Sequence, residues 1–134
     1  MVCQLNIGKC WSFSNQEEPP YPTIELNVSS HAGNTTINPK VDTGFNGSLA
    51  IGTEVVKNLH LKSAGTVLVK TAAGNREVSL YALSLSQADL GISCATLAIG
   101  TERSLVGRKM LNNRTWLLDC KENKFCIITK MEMS

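Results

Sequence analysis

The sequence predicts an all-β domain, a small closed β-barrel of about seven or eight strands with one or two short helices. Three observations point there. Apolar and polar residues alternate in short runs, as Ile24, Leu26 and Val28 do with Thr23, Glu25 and Asn27, so one face of each run is buried and the other is wet. Turn-forming clusters separate the runs, at residues 31–34, 72–75 and 121–123. Helical spacing occurs in only two places and is brief in both. The 134 residues suit one domain, and a 43% hydrophobic content is enough for a single core. With only 5% aromatic residues, that core rests on Val, Ile, Leu and Ala.

Residues 1–20 read as an N-terminal arm or linker, and residues 21–134 as the domain. The charged patch Asn15-Gln16-Glu17-Glu18-Pro19-Pro20 suits extended chain. Trp11 and Phe13, just before it, need an apolar surface, either of the domain itself or of a second subunit. From Tyr21 to Val41 the alternation describes a hairpin, with Gly33-Asn34 suited to positive φ at its turn. Pro39 makes its second strand an edge or an irregular one. Residues 53–60 form the first helix, with Thr53 as cap, Glu54 at its positive end and Val55, Val56 and Leu59 on one face. His60 is then a favourable charge near the helix end. Two β-rich runs, 66–71 and 76–85, flank Ala72, Ala73, Gly74 and Asn75, which make a second hairpin with a small, flexible tip. The loop 86–91 leads to a strand at 92–99. Leu105, Val106 and Gly107 form a buried strand ending in Gly, and a short helix follows with Met110 and Leu111 inward and Asn112-Asn113 at its end. A last hairpin pairs 115–120 with 124–129.

Composition excludes several functions. The formal charge is +2 and the 13 basic residues are scattered, so no nucleic-acid face and no membrane-surface helix is expected. No stretch has the length of a membrane span, and the first seven residues lack the basic start and apolar core of a signal peptide. Five Cys is an odd count without a dense framework, which predicts reduced thiols in a cytoplasmic protein. Cys94, Cys120 and Cys126 are expected as small buried hydrophobes. Neither Cys3 with Cys10 nor Cys120 with Cys126 has zinc-knuckle spacing, and His31 and His60 add no ligand pattern, so no metal and no cofactor is expected.

The chemistry concentrates in K-V-D-T-G-F-N-G-S-L-A-I, residues 40–51. A strand-like run stops at Asp42-Thr43-Gly44. Gly44 and Gly47 let the backbone turn sharply and approach other chain closely. Thr43 offers a hydroxyl that can donate and accept beside the carboxylate. One Asp is thereby displayed at a strand end with little side-chain bulk around it. Asp-Thr-Gly is also ordinary turn chemistry, so the context on both sides carries the argument.

That context resembles the retropepsin-like aspartic proteases. Val41-Asp42-Thr43-Gly44, a Gly three residues later, Leu49 and Ile51, a Gly-tipped hairpin and then Leu105-Val106-Gly107-Arg108 opening a short helix occur in the family's order, over residues 21–128. Residues 42–58 look closer to the cellular prokaryotic members than to the viral ones. The resemblance implies a β-barrel that acts as a homodimer on a peptide or unfolded protein, with Asp42 catalytic. It implies that Thr43 ties the two active-site loops together and that Gly44 binds substrate backbone. It makes Ala72, Ala73, Gly74 and Asn75 the tip of a substrate-binding flap, and Leu105, Val106 and Gly107 a brace for the Asp loop.

The residues add their own argument for two copies. Asp42 alone is followed by Thr-Gly or Ser-Gly; Asp89 precedes Leu-Gly and Asp119 precedes Cys-Lys. A two-carboxylate mechanism therefore draws its second Asp42 from another chain. In viral members an acidic residue soon after the triplet pairs with the Arg; here Asn46 and Gly47 stand in that region, and the partner of Arg108 is open. The chain ends are candidates for the dimer interface, through Cys3, Trp11, Ile127 and Ile128. The competing expectations are a catalytically silent domain of the same fold that binds peptides or assembles, an unrelated β-barrel in which Asp42 is only a turn residue, and, with no local motif behind it, a cysteine hydrolase using His31 or His60.

Overall fold

The computed structural model describes residues 3–133, so Met1 and Val2 of the predicted arm lie outside the described residues. Eleven strands follow in order: β1 (Cys3–Ser12), β2 (Leu26–Ser30), β3 (Gly33–Ile37), β4 (Lys40–Val41), β5 (Leu49–Gly52), β6 (Ser63–Thr71), β7 (Gly74–Gln87), β8 (Ile92–Thr101), β9 (Leu105–Val106), β10 (Thr115–Asp119) and β11 (Lys124–Met133). Two short helices, α1 (Thr53–Asn58) and α2 (Arg108–Leu111), interrupt them.

One sheet runs β3-β2-β7-β8-β5-β9-β4, with β6 added on β7. The 14-residue β7 is the spine: its first half pairs with β6, its second half with β2, and β8 follows it from Leu80 to Gln87. A strand with different partners along its length curls the sheet around its buried face. Leu26 and Val28 of β2 and Leu83 and Leu85 of β7 point to that face, and Ile24, Leu49, Ile51 and Val106 complete its centre. All four residues of β5 are buried because β5 lies between β8 and β9 and is covered on both faces. Each such Leu or Ile contributes about 1.5–3 kcal/mol by leaving water.

A smaller sheet, β1-β11-β10, packs at the other side. Here the predicted arm becomes a ten-residue strand antiparallel to β11. Trp11 is covered by the chain's own last hairpin: its ring lies 6.2 Å from Trp116, which stacks on Phe125 at 4.7 Å. Trp11 and Ile128 are thus buried within the chain, whereas Cys3 is exposed.

Several sequence expectations are corrected. Cys10 and Cys126 face each other across β1 and β11 and form a disulfide. Their separation of 116 residues hid the pair, and only the β1–β11 register brings them together. Cys94 and Cys120 are exposed rather than buried. The thiol argument for a cytoplasmic setting therefore falls away, since disulfides persist in oxidising compartments. No helix among the described residues is long and apolar enough to cross a membrane. Gly52, not Thr53, is the N-cap of α1, and no side chain caps it; Leu59, just past the helix, carries the burial instead. The expected loop at 86–91 is mostly ordered: β7 runs to Gln87, and a 3-10 turn at Ala88–Leu90 is held by the Gln87 side chain, which accepts from the Asp89 amide at 2.8 Å. Pro39 breaks β3 from β4, and its side chain is fully buried at that break.

The disulfide yields a direct count. Thiol titration of the denatured but unreduced chain should find three reactive Cys out of five, and reduction should expose the other two. Reduction should also lower stability by about 2–5 kcal/mol, read as a fall in Tm, because it releases a long loop in the unfolded chain. Five thiols before reduction would contradict the β1–β11 register.

Candidate active site

The Asp42 loop is built by three very short strands. β4 lies parallel to β9, with Lys40 opposite Leu105 and Val41 opposite Val106, and β5 returns antiparallel on the other side of β9. The loop between β4 and β5 therefore wraps around the end of β9. Main-chain hydrogen bonds fix it there. The Asp42 amide donates to the Val106 carbonyl at 2.9 Å, the Gly107 amide to Ser48 at 3.0 Å, the Arg108 amide to Phe45 at 2.9 Å and the Lys109 amide to Gly47 at 3.3 Å.

This approach is close enough to dictate residue type. A Cβ on Gly107 would sit closer than 3.0 Å to the carbonyl oxygens of both Gly47 and Phe45. A Cβ on Gly47 would meet the Phe45 ring at 2.6 Å. Gly107 needs glycine for lack of space, not for an unusual φ, whereas a side chain at Gly47 would require the Phe45 ring to move. Leu105, Val106 and Gly107 lie against the Asp42 loop, with Val106 and Gly107 hydrogen-bonded to it. Leu105 is half-buried and Val106 fully buried.

Inside the loop, the Gly44 amide donates to Asp42 Oδ1 at 2.9 Å, and the Phe45 amide to the Asp42 carbonyl at 3.1 Å. The Asp42 carboxylate is half-buried, while Thr43 and Gly44 are exposed. The Arg108 guanidinium donates to Asn46 Oδ1, which answers the open question of its partner. The acceptor is a neutral amide oxygen rather than a carboxylate.

A groove of about 670 Å³ opens beside this loop. Gly44, Phe45 and Leu49 form its floor, and Val67 and Val69 of β6 and Leu97 of β8 stand on its walls. The hairpin of β6 and β7 that carries Ala72, Ala73, Gly74 and Asn75 at its exposed tip is therefore the one that walls the groove, although the tip residues are not in the lining. Among the described residues its lining holds no carboxylate; Asp42 sits two residues before Gly44, where the lining begins. Asp89 sits in the 3-10 turn, and Asp119 Oδ1 accepts from the Lys121 and Glu122 amides in the last hairpin. His31 and His60 line a different cleft with Ser30 and Lys62. No group of three or more His, Cys, Asp or Glu among the described residues could hold a metal ion.

Sequence reasoning missed two features. The groove walls draw on Val67 and Val69 of β6 and Leu97 and Ile99 of β8, and only the pairing of the sheet brings them to the loop that follows Asp42. The second feature is a strap. Glu17 pairs with Arg103 and lies 3.6 Å from Lys40, while the Tyr21 ring faces Lys40 at 5.0 Å and Arg103 at 4.8 Å. Lys40 opens β4 and Arg103 lies just before β9, so the strap ties residues 17–21 to the two strands that carry the loop. The hydrogen bond from Arg103, aided by its charge and that of Lys40, holds the Glu17 carboxyl below its usual range.

No family model and no curated protein matches this chain. Solved structures do. EIAV protease complexed with the inhibitor HBY-793 superposes with a TM-score of 0.53 at 18% identity, over 75% of this chain and 91% of that one. The simian foamy virus (mac) protease gives 0.48 at 14% identity, over 66% and 90%. The chain is mostly β with a curled sheet and few helices, and it shares the fold of EIAV protease.

Two outcomes follow from this geometry. Gly107→Ala should destabilise the protein by about 1–3 kcal/mol through overpacking, measured by urea denaturation; a neutral effect would show that the loop and β9 are not interlocked. Glu17 has a depressed pKa in the folded chain, so its contribution is present above the ordinary carboxylate pKa and is lost as pH falls through the folded value. Glu17→Gln should therefore lower Tm slightly at neutral pH and leave it unchanged in strong acid, and added salt should shrink the gap. A Tm difference that persists in strong acid would contradict the charge account.

Proposed function

We propose that the chain is an aspartic endopeptidase of the retropepsin type, acting as a homodimer with one Asp42 from each copy in the catalytic pair. The observation that carries this is the placement of Asp42: a half-buried residue on a glycine loop hydrogen-bonded to the end of β9, where the same loop lines an apolar groove walled by a hairpin. The shared fold with EIAV protease supports it. The likeness of residues 42–58 to cellular prokaryotic members belongs to the same proposal.

Two Asp42 carboxylates brought together cannot both ionise easily and share one proton. The ionised one takes a proton from a bound water, whose oxygen attacks the scissile carbonyl carbon. The protonated one gives its proton to the carbonyl oxygen, and a tetrahedral diol forms. Its collapse breaks the C–N bond as the amine nitrogen is protonated. Thr43 ties one loop to the other, Gly44 binds substrate backbone, and Ala72, Ala73, Gly74 and Asn75 close over the peptide. Leu105, Val106 and Gly107 keep the carboxylate in place. No metal or other cofactor takes part.

A second copy also suits the surface. Beyond Ile128 the β10 strand ends, and β1 and β11 continue as a two-stranded ribbon. Leu5 lies opposite Met131 and Cys3 opposite Met133, so these four share one face, with Leu5, Met131 and Met133 41–60% exposed. Gln4 with Glu132 and Asn6 with Lys130 form the polar face. An amphipathic ribbon with an open edge and a bare apolar face fits the same ribbon of a partner.

Hydrolysis of an unfolded protein from acidic to neutral pH, with mass followed by light scattering, tests this. Wild type should cleave as a dimer, with a bell-shaped pH profile and inhibition by a statine-type compound. Asp42→Asn should lower kcat by at least about a thousandfold while the dimer persists. Cleavage that survives in Asp42→Asn would refute the assignment.

A further inference from the structure

The groove beside Asp42 carries a charge pattern that the proposed chemistry does not use. Its walls are apolar, and Val67 and Leu97 are 37% and 56% exposed, so oily surface stands open to water there. The ionisable groups in its lining are two, Lys70 at the tip end of β6 and Lys109 in α2, and no Asp or Glu accompanies them. Among the described residues neither lysine is in a salt bridge. The pairs that do form lie elsewhere, at Glu17 and at Lys130 with Glu132.

We propose that this groove selects peptides that present an apolar side chain beside an acidic one, with Lys70 and Lys109 as the residues that recognise the acid. The proposal rests on the function above for the position of the cleaved bond; the binding preference stands without it. The apolar side chain covers Val67, Val69 and Leu97. The carboxylate next to it meets two unpaired ammonium groups inside a cleft with low-dielectric walls, which focus their field. A Lys or Arg at that position meets like charge and is rejected, so selection works by repulsion as well as attraction. Both lysines are solvent-exposed, so the effect is moderate and sensitive to salt.

The test uses three peptides with the same Val-Leu centre and Glu, Gln or Lys beside it. Binding is followed by fluorescence anisotropy on wild type and on Asp42→Asn, with hydrolysis recorded in parallel. The Glu peptide should bind about threefold tighter than the Gln peptide and about tenfold tighter than the Lys peptide, with the gaps closing at high salt. Lys70→Gln with Lys109→Gln should bring the Glu and Gln peptides level, and charge reversal at both sites should invert the order. Equal binding of all three peptides, no binding of any, or an order that the lysine variants leave untouched would each overturn the proposal. Ranked binding without hydrolysis would remove the protease assignment and keep the selectivity; hydrolysis without ranking would do the opposite.

Discussion

The structure depends on the contact between β9 and the Asp42 loop. Gly107 lets backbone approach backbone so closely that a methyl group there would run into the Gly47 and Phe45 carbonyl oxygens, while Gly47 leaves room for the Phe45 ring. The loop has no regular secondary structure of its own; the amides of Gly107, Arg108 and Lys109 donate to its carbonyls, and the Asp42 amide donates to the Val106 carbonyl of β9. A flexible glycine loop ordinarily loses much entropy on ordering. Here the cost is offset by hydrogen bonds buried against a packed centre, where Leu49, Val106 and Ile51 meet. The result is a carboxylate whose position is set by strands rather than by the loop.

The remaining devices act on the same two strands. The Glu17–Arg103–Lys40 strap holds the start of β4 to the segment before β9. The Arg108 to Asn46 hydrogen bond holds the far side of the loop to α2. The Cys10–Cys126 disulfide and the Trp11–Trp116–Phe125 stack fasten the first strand to the last and leave their ends as an apolar ribbon. Stability elements thus run from the chain termini toward the site, and both places where a partner is proposed, the ribbon and the groove, carry exposed apolar side chains.

Much of this was legible in the sequence, for reasons that differ by element. Strands such as β2 and β10 follow from local alternation, and Asp42, Gly47 and Gly107 stand out because a display loop needs glycine at fixed offsets. Elements set by distant pairing were hidden. β1 reads as part of the arm because the charged, proline-rich residues 15–20 cut it off from the domain; Cys3, Leu5 and Ile7 do alternate with Gln4 and Asn6, but only β11 gives that strand a partner. Cys10 and Cys126 are neighbours through that same register. Pro39 signalled irregularity but not that its break redirects β4 onto β9. Lys70 and Lys109 look like ordinary surface lysines until the sheet places them in one groove.

The central claim is that catalysis needs two copies of Asp42, one from each chain. The most direct measurement titrates Asp42→Asn chains into wild type at constant total concentration and lets the subunits exchange. If both carboxylates are required, mixed dimers are inactive, and hydrolysis should fall as the square of the wild-type fraction. A fall in simple proportion to that fraction would mean that each chain works with its own carboxylate, and it would contradict the account.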